Sequence, residues 1–296
     1  MKQRQKQPLP DRKQGAYNNL MKRSLLLLSY LLFSFYTFSQ VKSVVVDSNT
    51  NKPINMVAVA VQGKAVGTYT DELGRFMLVD IGNKDSILFK HIGYDKKILG
   101  STDWGDTIRL NPRINYLKEV MVSPAKLLEI KSRARNKSSN ISFAAFSGFE
   151  IAQLITVEAN NEFVKTVMVY IKRVKTNAST HLRLHLYANN KGEPGAEILL
   201  NGGRVTAHNV GNCISFNLAS ESVLMPPEGI FVGIEWINQI ANRGQQLEPR
   251  VLVSKSKKQD QNTYYRFWDQ AWESLNTLLQ MERANTVFEL TTIVFK

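Results

Sequence analysis

The stretch at residues 67–76 (GTYTDELGRF) is the feature that most constrains the fold of this chain. It places the turn-forming residues Asp71 and Gly74 between two strand-like runs, at residues 66–70 and 75–79. The spacing predicts a β-hairpin in which Gly74 adopts a positive φ, because glycine has no Cβ atom to oppose that conformation.

Further strand-like runs lie on both sides of this turn. They occur at residues 41–46, 56–61, 85–91, 97–99, 106–110 and 117–122. The runs are short, rich in β-branched residues and separated by turn-forming residues, which is typical of an all-β domain. We therefore predict a small β-sandwich over residues 41–122.

These residues resemble the carboxypeptidase regulatory-like domain. The most specific likeness lies in the pattern T-D-x-x-G-x-F at residues 70–76 and in I-G-Y at residues 92–94. The resemblance covers residues 41–122 and implies a transthyretin-like, seven-stranded β-sandwich in a protein of the Gram-negative envelope. Residues 117–123 also resemble the segment that follows this domain in outer-membrane transporters of the TonB-dependent kind.

An export signal is predicted near the start of the chain. Basic residues at positions 22–23 precede an apolar run at 25–38, which is the pattern of a secretory signal peptide. The run is shorter than the ~20 apolar residues of a membrane-spanning helix. We interpret residues 1–40 as a signal peptide with an upstream extension, starting at Met1 or Met21; an uncleaved anchor is the alternative. Cleavage would leave a periplasmic, outer-membrane-associated or secreted protein with no integral membrane span.

Charge and cysteine content narrow the class of protein. Residues 1–40 contribute +6 of the formal net charge of +13, and the +7 that remains does not indicate nucleic-acid binding. The single cysteine, Cys213, excludes an intrachain disulfide, and no thiol follows the apolar run to carry the lipid of a lipoprotein. Because Cys213 lies in a strand-like run, it is predicted to be a buried apolar residue.

The β pattern resumes at residue 141 and continues to the end of the chain. Eight or so strand-like runs over residues 141–296 predict a larger, jelly-roll-like β-sandwich. Residues 123–140 are predicted to be a linker, in which residues 125–136 suit a short helix. The predicted fold is thus all-β: a transthyretin-like seven-stranded β-sandwich followed by a larger jelly-roll-like β-sandwich.

The sequence lacks the motifs of the common catalytic sites. A zinc carboxypeptidase requires a histidine followed three residues later by glutamate, and none of the four histidines has that neighbour. Nucleophile-elbow, Walker and dinucleotide-binding motifs are missing as well. The sequence therefore predicts no enzyme, no catalytic residue, no cofactor and no metal. Its turn carboxylates are interpreted as turn caps rather than calcium ligands; they are Asp71, Glu72, Asp103 and Asp106.

His181 and His185 are the only closely spaced histidines. The leucines at residues 182, 184 and 186 alternate with them, which indicates a strand rather than a helix. At ~3.3 Å per residue the two histidines would lie ~13 Å apart, too far to share one metal ion. We interpret the strand face that carries the two histidines as structural. Ligand binding by this polar face is the alternative.

The aromatic run at residues 264–272 (YYRFWDQAW) is the one candidate ligand-binding segment. A hairpin here could present Tyr264, Trp268 and Trp272 to a sugar or a partner protein. Packing of these rings in the core is the alternative interpretation.

From these observations we predict an exported, non-catalytic β-sandwich protein for binding or assembly in the cell envelope. Its partner would be an envelope protein or a glycan. One alternative function is carbohydrate or glycopeptide recognition through the aromatic hairpin. Another is an accessory role to an envelope peptidase or a TonB-dependent transporter, which follows from the resemblance alone.

Overall fold

The computed structural model describes residues 40–100, 102–103, 105–113, 127–132, 141–156, 162–172, 181–199, 207–210, 212–238, 247–255, 263–280 and 284–295. Strands make up most of this structure, which confirms the predicted all-β class. Gln40–Lys296 is one compact unit. The predicted signal peptide, apart from its last residue, and the transporter-like segment at residues 117–123 lie outside the described residues.

Seven strands form the first sandwich. They are β1 (Gln40–Asp47), β2 (Ala58–Val61), β3 (Gly67–Tyr69), β4 (Arg75–Val79), β5 (Ser86–Lys90), β6 (Lys97–Gly100) and β7 (Thr107–Leu110). One sheet has three strands in the order β4-β1-β7, and the other has four in the order β3-β2-β5-β6. The β1 and β7 strands are parallel, and the remaining neighbours are antiparallel.

An apolar core holds the two sheets of the first sandwich together. Val45, Leu78 and Ile108 of the three-stranded sheet are buried in one cluster with Val59 and Phe89 of the four-stranded sheet. In β4 and β7 buried residues alternate with exposed or half-buried ones, because successive side chains of a strand point to opposite faces. All four residues of β2 are buried instead, so both faces of this strand are covered.

The turn at residues 71–74 does not form the predicted hairpin. The β3 strand pairs with β2, whereas β4 pairs with β1 in the other sheet. The local turn chemistry is as predicted: the Gly74 N–H donates to the Asp71 carbonyl, and Gly74 has a φ of 71°. The hairpin prediction was therefore wrong, because this turn carries the chain from one sheet of the sandwich to the other.

The second sandwich contains all the remaining described strands. They are β8 (Leu127–Ser132), β9 (Ser142–Ala145), β10 (Phe149–Ile155), β11 (Glu162–Lys172), β12 (His181–Asn190), β13 (Glu193–Glu197), β14 (Ala207–Val210), β15 (Cys213–Asn217), β16 (Ile230–Ile237), β17 (Leu247–Lys255), β18 (Thr263–Phe267), β19 (Glu273–Ser274), β20 (Ala284–Thr286) and β21 (Phe288–Phe295). A helix that the sequence did not predict, α1 (Leu275–Leu279), precedes β20. Within the described parts of the chain, no helix has the length and apolar character to cross a membrane.

These strands form two sheets around a large apolar core. The six-stranded sheet runs β13-β12-β16-β10-β18-β19; the opposing sheet runs β14-β15-β11-β17-β20, with β21 beside β11 and β8, and β9 beside β17. Phe149, Leu184 and Trp236 of the six-stranded sheet are buried together with Val167 and Phe216 of the opposing sheet. Residues that alternate with these on the six-stranded sheet point the other way, onto a surface that we call the junction face.

Part of the predicted linker belongs to the second sandwich. Residues 127–132 form β8, which is antiparallel to β21 from the Ser132–Leu290 pair to the Leu127–Phe295 pair. The short helix predicted for residues 125–136 was therefore wrong. Pairing with β21 supplies backbone hydrogen bonds to this segment, and it overrides the local helical pattern.

The four-stranded sheet of the first sandwich packs on the junction face of the second. Ala58, Ala60 and Tyr69 form a buried cluster with Ile237 and Trp268. The valines of β2 point into the core of the first sandwich. The small alanines that alternate with them allow the second sandwich to approach closely, which explains the burial of both faces of β2.

Candidate functional site

Four charged residues form a row across the junction face. Strand register places Arg183 of β12 opposite Glu235 of β16, Glu235 opposite Glu150 of β10, and Glu150 opposite Arg266 of β18. All four residues are buried. Two carboxylates directly opposite each other repel, so each requires its own cation and hydrogen-bond donors. We call this row, together with Tyr69, His185, Tyr187 and Glu197, the polar junction.

Glu235 connects the two sandwiches. Its Oε1 atom accepts a hydrogen bond from the Tyr69 hydroxyl at 2.5 Å, and its Oε2 atom contacts His185 Nε2 at 3.0 Å and Arg183 Nη1 at 3.3 Å. Burial alone would raise the pKa of Glu235, but the Arg183 guanidinium and the hydrogen bonds from His185 and Tyr69 hold that pKa well below its usual value. Arg183 adds a second link between the sandwiches, since its Nη2 donates to the Met56 carbonyl at 2.8 Å.

Glu150 is paired in a similar way on the next strand. Its Oε1 accepts a hydrogen bond from the Tyr187 hydroxyl at 2.5 Å, and its Oε2 accepts from Arg266 Nε at 2.9 Å and lies 2.8 Å from Arg266 Nη2. Arg266 Nη2 also donates to the Tyr187 hydroxyl at 2.8 Å. Burial would lower the pKa of Arg266, but the Glu150 carboxylate raises it above its usual value, so the guanidinium stays protonated.

His185 is held between two carboxylates. Its Nδ1 lies 2.5 Å from Glu197 Oε1, and its Nε2 lies 3.0 Å from Glu235 Oε2. Burial would lower the pKa of His185, but the negative charges of Glu150 and Glu197 and the hydrogen bonds to Glu197 and Glu235 raise it to about 9. The imidazole is therefore protonated at neutral pH and donates through both nitrogen atoms.

A second ionic contact lies at the rim of the junction. Asp269, which follows β18, forms ion pairs with Lys96 and, at 3.6 Å, with Lys90 of the first sandwich. Burial would raise the pKa of Asp269, but its hydrogen bond to Lys96 and the charges of both lysines lower it. These side chains are partly exposed, so salt screens their attraction more than it does within the polar junction.

Trp268 fills the contact between the sandwiches. Its indole packs against the Tyr69 ring, with centroids 5.1 Å apart. The backbone N–H of Trp268 donates to the Gly148 carbonyl at 2.7 Å. A Cβ atom on Gly67 would lie 2.5 Å from the indole, and one on Gly148 would lie 2.3 Å from it. Only glycine fits at these two positions, so Trp268 belongs to the interface.

Tyr264 and Trp272 are half-buried at the other end of the junction face. The Arg266 guanidinium lies 4.1 Å from the centroid of the Trp272 indole, and the edge of Tyr187 meets the same ring at 5.5 Å. Tyr264 packs against Phe231 at 5.8 Å. We call Tyr264 and Trp272 the aromatic surface.

The three aromatic residues predicted from the sequence are therefore placed differently. Trp268 is only 7% exposed and lies between the sandwiches, whereas Tyr264 and Trp272 remain accessible in part. Ligand binding by these residues stays a prediction. His185 lies in the polar junction with its side chain 3% exposed, and the side chain of His181 is outside the described residues.

Sequence reasoning missed the charged residues that matter most here. It did not single out Glu150, Glu197, Glu235 or Arg266. A signal was nevertheless present, because Glu150 and Glu235 each stand alone within an apolar strand, where an unpaired charge would be too costly to bury. Such a residue predicts a buried partner but does not identify it.

The described residues offer little for metal or cofactor chemistry. No three His, Cys, Asp or Glu side chains of the described ranges come together as a metal site. Asp71 caps its own turn as predicted, since its Oδ1 accepts from the N–H groups of Leu73 at 2.9 Å and Arg75 at 2.8 Å. Cys213 is buried, also as predicted. The charged groups of the polar junction bind one another.

Comparison with known proteins identifies the first sandwich. Residues 41–122 match the model of the CarboxypepD_reg-like domain family, which confirms the resemblance predicted over the same residues. This match does not extend to the second sandwich. None of the curated proteins compared with the chain matches it.

Several solved structures show a distant likeness. The cysteine protease and lectin-like domains of Cwp84, a surface layer associated protein of Clostridium difficile, match at 14% identity and a TM-score of 0.35, covering 49% of this chain and 32% of that one. A variant of BcpA, the major pilin subunit of Bacillus cereus, matches at 10% identity and a TM-score of 0.20, covering 80% of this chain and 67% of that one. A proposed carbohydrate binding protein from Bacteroides uniformis matches at 12% identity and a TM-score of 0.20, covering 87% of this chain and 98% of that one. The chain spans about a third of the first protein.

Proposed function

We propose that the protein is an exported, non-catalytic module for binding or assembly in the cell envelope, in which the two sandwiches act as one unit. The observation that carries the proposal is the polar junction. Its imidazole, carboxylate and guanidinium groups, which resemble those of an active site in type, are buried and bound to one another. They stabilise the contact between the sandwiches and leave the outer surfaces to engage a partner.

The first experiment tests export and localisation. Cells that produce the full-length chain are fractionated, and the protein is identified by mass spectrometry. We expect it in the envelope or the medium, with a first residue near Gln40. Recovery of the protein only from the cytoplasm, or with residues 1–39 intact in every fraction, would overturn the export part of the proposal.

The second experiment tests the binding role. Intact cells that produce the protein are treated with a lysine-reactive cross-linker, the protein is then purified, and its cross-linked peptides are sequenced. We expect cross-links from surface lysines of both sandwiches to one envelope component. In the Gly67→Ala variant the contact between the sandwiches is weakened, so cross-links to the partner from one of the two sandwiches should be lost. If the wild type yields intramolecular links alone, the binding role fails.

Carbohydrate or glycopeptide recognition is the second candidate function. What supports it is the aromatic surface, since the Trp272 ring is half-buried and held in position by Arg266 and Tyr187. Aromatic rings fixed in this way suit stacking against the apolar faces of sugars. Trp268 is assigned to the interface, so the proposed sugar contacts are Tyr264 and Trp272.

A glycan array tests this candidate. We expect the wild type to bind one class of glycan, Trp272→Phe to retain part of the binding, and Trp272→Ala to lose it. Thermal unfolding of each variant controls for loss of the fold. Equal binding by wild type and Trp272→Ala, or no binding by either, would remove the candidate. An accessory role to a peptidase or transporter stays a prediction, since it follows from the family resemblance alone. Residues 117–123, which resemble the transporter segment, lie outside the described residues.

A further inference from the structure

The aromatic surface of the second sandwich is connected to the first sandwich by an unbroken series of buried contacts. We propose that Tyr69 of the first sandwich is a positioning residue for Trp272, and that it acts through Glu235, Glu150 and Arg266. The contact between the sandwiches would thereby set the geometry of the aromatic surface. The proposal rests on the proposed function only for what that surface binds; the coupling itself is a property of the protein alone.

The series ends in a guanidinium that supports the indole. Arg266 lies 4.1 Å from the centroid of Trp272 and therefore fixes one face of the ring. The guanidinium is itself held by Glu150 Oε2, with Nε at 2.9 Å, and by the Tyr187 hydroxyl at 2.8 Å. Because Arg266 is buried, it cannot exchange these contacts for water. Any shift of the Glu150 carboxylate must therefore be transmitted to the ring above.

The next step couples the two carboxylates. Glu150 and Glu235 are directly opposite on adjacent antiparallel strands, so their like charges repel across a short distance. Gly233, on the same face of β16 as Glu235, leaves the space for this arrangement, since a Cβ atom there would be 3.0 Å from Glu150 Oε1. The position of one carboxylate thus depends on how well the charge of the other is neutralised.

The last step crosses from one sandwich to the other. Among the described residues, Tyr69 alone donates a hydrogen bond to Glu235 Oε1, at 2.5 Å. Removal of this donor would increase the uncompensated charge on Glu235 and its repulsion of Glu150. A parallel route runs through His185, which contacts Glu235 Oε2 and stacks on Tyr187 with ring centroids 5.7 Å apart and planes 9° apart.

The test compares Tyr69→Phe with Tyr94→Phe. Both substitutions remove one hydroxyl from the first sandwich, but the Tyr94 hydroxyl donates to Asp47, within that sandwich. The full-length protein is labelled with fluorotryptophan, and the resonances of its four tryptophans are assigned by single Trp→Phe variants. We expect Tyr69→Phe to shift the Trp272 resonance and Tyr94→Phe to leave it in place.

Two other tryptophans distinguish coupling from general damage. Trp268 contacts Tyr69 directly, so its resonance should shift in Tyr69→Phe and show that the interface has been perturbed. Trp236 lies in the core of the second sandwich and should not shift. An unchanged Trp272 resonance beside a shifted Trp268 resonance would overturn the proposal, and so would equal shifts of Trp236 and Trp272.

A second arm asks whether the coupling runs through Arg266. The conservative variant Arg266→Lys keeps the charge but removes the planar group under the indole. In that background we expect Tyr69→Phe to shift the Trp272 resonance by less than half as much as in the wild type. An equal shift in both backgrounds would exclude Arg266 from the route. Neither arm includes a ligand, so a failed glycan array leaves both results unaffected.

Discussion

Gly67 of the first sandwich lies so close to Trp268 of the second that a Cβ atom on Gly67 would come within 2.5 Å of Trp268 Cε2. We predict that Gly67→Ala lowers the free energy of unfolding by ~1–3 kcal/mol, because the added methyl group would overlap the buried indole and force it out of its packed position. Urea denaturation measures the change. Gly105→Ala is the control, since a Cβ atom at Gly105 meets no atom within 4 Å. Equal denaturation midpoints for the two variants would show that the interface tolerates the added methyl group.

The raised pKa of His185 predicts a loss of stability in alkaline solution. The pKa is about 9 in the folded protein against a usual value of 6.5. Between pH 6.5 and about 9, His185 is therefore protonated in the folded state but deprotonated in the unfolded state. The free energy of unfolding falls as the pH rises through this range. The contribution is on the order of 3 kcal/mol and is fully present below pH 6.5. Urea denaturation at pH 6, 7, 8 and 9 should show a steeper decline for the wild type than for His185→Gln. Parallel declines would contradict the prediction.

Buried and exposed ion pairs should respond very differently to the loss of a cation. Arg183→Met removes the charge beside buried Glu235, and we expect it to lower the free energy of unfolding by ~3–5 kcal/mol. Arg75→Met removes the cation of the exposed pair with Asp71, where the expected loss is ~0–1 kcal/mol. Both values come from urea denaturation under the same conditions. The prediction fails if the two substitutions have similar effects.

The turn at residues 71–74 should prove structural. Asp71→Ala removes the acceptor for two backbone N–H groups, so we expect a loss of about 1 kcal/mol in unfolding free energy. Glu72→Ala, at the exposed neighbouring position, should change stability by less than ~0.5 kcal/mol. Binding in the cross-linking experiment should be the same for both variants. Lost binding with unchanged stability in Asp71→Ala would instead assign a ligand contact to this turn.

The strands of the first sandwich were predictable because they depend on local sequence. The β4 strand occupies Arg75–Val79 as predicted, and Gly74 has the positive φ that its turn requires. The pairing of the strands was not predictable from the same signals. The turn at residues 71–74 has the composition of a hairpin, but β3 and β4 join different sheets because each finds its hydrogen-bonding neighbour elsewhere in the chain.

The candidate site was even less predictable from local sequence than the strand pairing. The alternation around His185 correctly separates the core side of β12 from its other side, since Leu184 and Leu186 are in the core. The sequence of β12 does not show which residues cover its other side. Tyr69 and Glu235 are separated by 166 residues in sequence, and no local pattern relates them.

By itself, the sequence of this protein determined an all-β chain, the family of its first sandwich and the alternation of its strands. These properties follow from turn chemistry and from the two-residue repeat of a β-strand, which act between near neighbours. Only the tertiary structure decided that Trp268 belongs to an interface and that Glu150 and Glu235 lie side by side. The physical reason is that a buried charge or ring is stabilised by whichever groups surround it, and those groups come from distant parts of the chain.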